Sequence, residues 1–230
     1  MAESIIGVDE IKSIISTKQT KICLAADVET VGDLFRVIED LGDKICILKI
    51  HYDIIVDFHI DLENTISKLL NLKKKYNFLI WEDRKFADIG AIMERQVKTH
   101  ISRWADIISV HAISGLESIK SLNFISLILI GELSTKDSII DDNYTKKATQ
   151  MLDLNDNIVG VVCQRKLTSS KLNIVPGISL HSSEDGKGQK YAPINDPQKR
   201  FADIYVIGRS ILNSKSPRKT IENFLEKISI

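Results

Sequence analysis

Five charged side chains crowd into the seven positions Glu82-Asp83-Arg84-Lys85-Phe86-Ala87-Asp88, directly after the apolar run Phe78 to Trp81. Carboxylates interleaved with an ammonium at a strand end can stabilise charge that develops during a reaction, or hand over a proton. A plainer reading exists: charge runs after strands are usually solvated helix starts, with Asp88 as an N-cap. Lys49 weighs against it. That lysine ends the apolar run Ile45 to Leu48 and is followed by Ile50 and His51. In a parallel α/β fold it would point into the same mouth as Asp83 and Lys85. Two lysines and two carboxylates gathered there favour one another's ionised forms, so Lys85 is expected as an ammonium.

A second group could hold an anion. The Arg209 guanidinium can grip a phosphate in two-pronged fashion, and Gly208 before it lets backbone approach a ligand closely. The bland alternative is a surface ion pair beside glycines that only turn the chain. His51 and His111 each follow an apolar run, where a hydrogen-bonded structural histidine is commoner than a ligand. No tight His/Cys/Asp ligand spacing, Gly-rich dinucleotide fingerprint or Gly-x-Ser-x-Gly elbow occurs. Metal, nicotinamide and serine acyl-transfer chemistry therefore lack a motif.

These groups need elements to position them. Asp27, Lys49, Asp83, His111, Ser134, Gln164, Pro176 and Arg209 stand in or at the ends of eight short apolar, β-branched runs. Amphipathic segments separate most of the runs: Thr30 to Leu41, Asp61 to Tyr76, Asp88 to Ser102, Gly115 to Leu122, Asn143 to Leu152 and Pro217 to Ile230. The link Lys166 to Lys171 is too short for a good helix. This pattern predicts parallel strands buried on both faces. Polar residues spread over many strand ends favour a closed (β/α)8 TIM barrel, because an open sheet would gather its site at one switch point. With 230 residues and 43% hydrophobic content, a single domain over residues 1–230 is expected.

Composition narrows the partners. Lys plus Arg number 31 and Asp plus Glu number 31, so no general field draws the chain to nucleic acid or to an anionic membrane. Anion binding must be local. Cys23, Cys46 and Cys163 are far apart and embedded in apolar runs, as expected of reduced thiols in a cytoplasmic compartment. The N-terminal stretch lacks the uninterrupted apolar core of a signal peptide, and the longest apolar stretch, Phe124 to Ile130, is too short to cross a bilayer.

Taken in order, LKIHYD, EDRKFADIG, GQKY and IGRS resemble the eukaryotic-type orotidine 5′-monophosphate decarboxylases, and the match runs from about Lys21 to Leu212. The resemblance implies decarboxylation of orotidine 5′-monophosphate to uridine 5′-monophosphate, the last step of pyrimidine nucleotide synthesis, with no metal or organic cofactor. It implies that Lys49, Asp83, Lys85 and Asp88 form a charged Lys-Asp-Lys-Asp network in a homodimer, the final aspartate coming from the neighbouring subunit. It further implies that Asp27 binds a ribose hydroxyl, that Ser134 reads the pyrimidine amide edge, and that Gln189, Tyr191, Gly208 and Arg209 hold the phosphate. Pro176 joins these substrate-binding positions, and the segment Ser182 to Tyr191 would close over the phosphate. No phosphoribosyltransferase domain is legible, so the preceding step is expected elsewhere.

Two positions depart from the family pattern: Ala25 stands where serine is common, and Ile92 where a threonine would touch the partner's substrate. Both remove polar binding contacts and leave the charged network intact. Two other readings remain open, a metal-dependent phosphosugar barrel with a similar Asp-x-Lys-x-x-Asp segment, and a catalytically impaired nucleotide-binding homologue.

Overall fold

All eight apolar runs become parallel strands of one closed barrel in the computed structural model, which describes residues 5–180, 183–184 and 188–228. They are β1 (Ile22–Ala25), β2 (Ile47–Ile50), β3 (Leu79–Phe86), β4 (Ile107–His111), β5 (Ser126–Ile130), β6 (Ile158–Val162), β7 (Leu172–Val175) and, last in the chain, β11 (Ile204–Ile207). Neighbours follow sequence order, and β11 closes the ring by pairing with both β7 and β1. Between β7 and β11 lie three short strands, β8 (Ile178–Ser179), β9 (Ser183–Glu184) and β10 (Lys190–Pro193), forming a small sheet in the order β8-β10-β9. The sequence pattern did not predict that sheet, because its strands are too short to show a period. Of the segment expected to close over a phosphate, Ser182 and residues 185–187 lie outside the described residues.

The helices are α1 (Val8–Lys18), α2 (Val31–Leu41), α3 (Leu62–Tyr76), α4 (Gly90–Thr99), α5 (Leu116–Lys120), α6 (Asp142–Met151), α7 (Arg209–Leu212) and α8 (Pro217–Leu225). As its length predicts, the Lys166 to Lys171 link forms no helix. Thr30, Asp61 and Asp141 cap α2, α3 and α6 by accepting backbone N–H groups of their first turns. Asp88 does not cap α4. Ile89 occupies the N-cap, and the Asp88 carboxylate instead accepts its N–H at 2.7 Å. The plainer reading of that aspartate therefore fails.

Period-two alternation builds two apolar layers. Ile22, Leu24, Leu48, Ile50, Ile80, Ile108, Val110, Leu127 and Leu129 face the surrounding helices. Cys23, Ala25, Ile47, Leu79, Trp81, Ile107, Ile128, Ile130 and Val206 fill the lumen, where Ile11 and Ile15 of α1 join them from below. The same alternation decides which polar residues enter the barrel. Lys49 shares a face with Ile47, and Asp83 with Trp81, so both point inward, whereas Glu82 points out between the strands and helices.

Candidate active site

Asp83 is the hub of the inward-facing charges. Its Oδ2 lies 2.9 Å from Lys49 Nζ, 2.8 Å from Lys85 Nζ and 3.4 Å from His51 Nε2. Its Oδ1 accepts a 2.5 Å hydrogen bond from Ser109 Oγ on β4. Burial alone would raise the Asp83 pKa, but Lys49, the His51 contact and Lys85 overcome it and hold the carboxyl well below its usual range. Lys49 answers in kind: burial works against its charge, yet Asp83 and Asp27 push its ammonium up to about 12. The Lys49 ammonium also lies 3.1 Å from His51 Nε2 and 3.7 Å from Asp27 Oδ1.

Lys85 reaches this hub through an irregular backbone. Pairing between β3 and β4 loses register between Glu82 and Phe86, and Lys85 sits there at φ 60°. A left-handed conformation costs a residue with a side chain about 1–2 kcal/mol, and such strain clusters where a side chain must be re-aimed. Here it turns the Lys85 ammonium onto Asp83, where it also donates to the main-chain oxygen of that residue at 3.1 Å. On β4, His111 is kept below its ordinary pKa by burial, with the Lys85 charge acting the same way and Asp83 opposing both.

These groups line a cavity of about 300 Å³ at the C-terminal ends of the strands. Ala25, Trp81, Val162 and Val206 give it apolar walls. Asp27, Ser134, Pro176, Gln189, Tyr191, Gly208 and Arg209 all border it, so every expected site residue except Asp88 meets in one space. Gln189 Nε2 donates to Ser134 Oγ at 2.7 Å, and the Arg209 guanidinium stacks over the Tyr191 ring at 5.4 Å. Gly177 is obligatory beneath them: at φ +76° a side chain is already strained, and a Cβ would stand 2.6 Å from Lys190 O. Gly208 borders the cavity and meets a second constraint as well. Its open side faces Ala25, whose Cβ and carbonyl oxygen would both lie 3.0 Å from an added Cβ, so the glycine admits the β1 backbone.

Asp88 is exposed and does not border the cavity of its own chain. Ile89 (65% exposed) and Ile92 (36%) flank it at the start of α4. Sequence reasoning missed two members of the network. Ser109 lies unremarked in an apolar strand, and only its inward phase next to Asp83 marks it. His51, read as structural, contacts both Lys49 and Asp83, and its position two residues after an inward-facing lysine was the available signal. His51, Asp53 and Glu82 also bring one donor atom each within 4.8 Å of one another.

A closed parallel barrel that focuses lysines, a carboxylate and an arginine at its C-terminal mouth places the chain among the (β/α)8 barrel enzymes. Residues 20–224 match the orotidine 5′-phosphate decarboxylase / HUMPS family, and the chain belongs to it. It is 35% identical over 217 residues to orotidine 5′-phosphate decarboxylase of Saccharomyces cerevisiae, covering 86% of this chain and 80% of that one. The corresponding protein of Cyberlindnera jadinii is 33% identical over 228 residues, covering 91% and 85%. Bovine uridine 5′-monophosphate synthase is 34% identical over 214 residues, and the match takes in 87% of this chain but only 44% of that longer protein. The barrel of Pyrococcus horikoshii orotidine 5′-phosphate decarboxylase superposes with a TM-score of 0.68 at 20% identity, covering 90% of this chain and 98% of that one, which shows the shared fold.

Proposed function

We propose that this chain decarboxylates orotidine 5′-monophosphate to uridine 5′-monophosphate, and that Lys85 supplies the proton. The observation that carries the reading is the Lys49-Asp83-Lys85 hub, a buried carboxylate held ionised between two ammonium groups on the cavity wall. Breaking the bond from C6 to the carboxyl group leaves an electron pair on the ring carbon while carbon dioxide departs. An ammonium already in place stabilises that pair without reorganisation and then gives it a proton. Arg209, Tyr191 and Gln189 would take the phosphate, Ser134 the pyrimidine edge and Asp27 a ribose hydroxyl. Contacts remote from C6 would then lower the barrier by ordering the substrate.

Asp88 belongs to this reading as the partner's contribution. Its exposure, with Ile89 and Ile92 exposed beside it, suits a two-fold interface in which each Asp88 enters the other subunit's cavity. The three buried free cysteines fit a reducing, cytosol-like compartment, and among the described residues no helix is long and apolar enough to cross a membrane. The test is purified protein with orotidine 5′-monophosphate in excess chelator, followed by the ultraviolet change from orotate to uracil ring. Turnover is expected to survive chelation; activity lost and regained only with a divalent metal would favour the phosphosugar-type reading, and no turnover at all the impaired homologue.

A further inference from the structure

Two carboxylates on the barrel's upper rim hold the loop of a neighbouring strand, and they do so under different conditions. Glu132, just beyond β5, accepts the N–H groups of Gln164 (2.6 Å) and Arg165 (3.3 Å) with Oε2, while its Oε1 meets Arg165 Nε at 2.9 Å. Glu82, on the outer face of β3, accepts the N–H of Tyr52 at 3.0 Å with Oε2. Its Oε1, however, is buried without a hydrogen-bond partner, and the residue has no exposed surface. Its neighbours in register are the apolar Ile50 and Ile108. A buried carboxyl that gains one backbone bond and no ion-paired cation within 4 Å is a costly way to tie a loop.

We propose that Glu82 is a positioning residue for the reaction, acting through the Tyr52 backbone on the His51 ring and so on the Lys49-Asp83-Lys85 hub. The tie falls at the start of the 3-10 turn Tyr52–Ile54, one residue after the histidine that touches both Lys49 and Asp83. Aromatic packing of Tyr52 against Phe58, His59 and Trp104 fixes the turn from the other side. The charges facing Glu82 are Asp53 on the turn, Asp83 on its own strand and Lys49 on β2, with the His51 ring beside them. Burial dominates these and pushes the Glu82 carboxyl up to about 8, with the Tyr52 bond opposing and Asp53 and Asp83 reinforcing. The working form is thus the neutral acid. Ionisation would place a third anion beside Asp53 and Asp83 and draw the His51 ring from its contacts. A cation held by the same three donors would share the His51 ring with the Lys49 ammonium, which lies 3.1 Å from its Nε2 and disfavours a metal at this place.

The inference rests on the decarboxylase reading for its kinetic test. Glu82→Gln keeps an acceptor for Tyr52 and cannot ionise. It is expected to hold kcat near the wild-type plateau at pH 7 but to lose an alkaline decline centred near pH 8. Glu82→Ala should lower kcat on the order of ten- to a hundredfold with KM nearly unmoved, as loss of transition-state positioning predicts. An unchanged alkaline limb in Glu82→Gln overturns the proposal, whether or not the alanine variant folds. Should the wild type show no turnover, that failure belongs to the decarboxylase reading, and nitrogen NMR of His51 still decides this one. Its ring signals should respond near pH 8 in the wild type and stay flat there in Glu82→Gln; identical titrations in the two proteins overturn the coupling.

Discussion

The two ends of the barrel use the same side chains to opposite purposes. At the N-terminal end, Lys73 Nζ meets Asp106 Oδ1 at 2.5 Å while the other Asp106 oxygen accepts the Ile80 N–H at 2.7 Å. Lys18 donates to the carbonyls of Gly42 and Tyr76, at the ends of α2 and α3. Ser126 ties down Ile6 O at 2.8 Å, and Asp203 accepts the Asn173 N–H at 2.7 Å. Apart from Lys73, which meets the Asp106 carboxylate, each of these polar groups satisfies main chain. At the C-terminal end, Lys49, Asp83, Lys85, His51 and Ser109 reach one another around open space. A carboxylate committed to backbone holds the fold, whereas one committed to two ammonium groups beside a cavity holds a reaction.

The sharpest way to break that contrast is at Lys85. Lys85→Ala should cut kcat by roughly 10⁴-fold or more, since it removes both the stabilising charge and the proton donor. Its unfolding midpoint should stay near the wild-type value, because Asp83 keeps Lys49 and Ser109 as partners and the lost Lys85 side chain is partly exposed. Binding of uridine 5′-monophosphate should survive within about tenfold, as the groups proposed to take phosphate and ribose lie on other elements. Kinetics and calorimetry on one preparation measure all three, and near-normal turnover would remove Lys85 from the mechanism.

Next comes the proposed two-fold interface. Lys85→Ala and Asp88→Ala homodimers should each be severely impaired. After random exchange of equal amounts, half the dimers are mixed and half of their sites take both intact residues, giving about a quarter of wild-type activity for an isologous dimer. Verified exchange with no regained activity would confine Asp88 to its own exposed loop and leave the hub a property of one chain.

Much of the upper end was legible because strand alternation converts sequence into direction. Lys49 and Asp83 stand in phase with inward apolar neighbours, and seven of the eight runs carry a polar residue in or at the end that forms the cavity, the other carrying Pro176. What escaped were features that have no period. The β8-β10-β9 sheet is built from strands two to four residues long, and nothing in the N-terminal sequence signals that α1 closes the barrel's lower end. The turn of Lys85 into the left-handed region also has no residue-type signal, since a lysine there is uncommon. Gly208 also admits Ala25 on its open side, a contact between two strands distant in sequence that no local pattern announces. The lower end was hardest to read for function because nothing distinguishes a lysine that will bind backbone from one that will meet substrate until both strands are placed.

The lower end offers the converse test. The Asp106 side chain is 5% exposed, and removing it leaves the Lys73 ammonium and the Ile80 N–H without that carboxylate. Asp106→Ala should cost about 3 kcal/mol of stability, as for other broken buried pairs. Well below its lowered midpoint, kcat and KM should match the wild type. A selective loss of kcat with little loss of stability would mean that the two ends are coupled and that the division between them is wrong.

The smallest expected effect lies on the cavity wall. Ala25 closes β1 beside Asp27, 6% exposed, in register with Lys49. The family pattern that the sequence resembles has serine there, so by that resemblance this chain presents a methyl group where a hydroxyl would stand. A serine at this position adds one oxygen on the cavity side without enlarging the Cβ that packs over Gly208. One added hydrogen bond to a neutral ligand group is worth about 1 kcal/mol, or about fivefold in affinity. Ala25→Ser is therefore expected to lower KM and the dissociation constant for uridine 5′-monophosphate about fivefold together, with kcat unchanged, because the contact would be made equally in ground and transition states. A change in kcat instead would show that the β1 wall acts on the Lys49 end of the hub, and the boundary between binding wall and reacting centre would then have to be redrawn through Asp27, which lies 3.7 Å from that lysine.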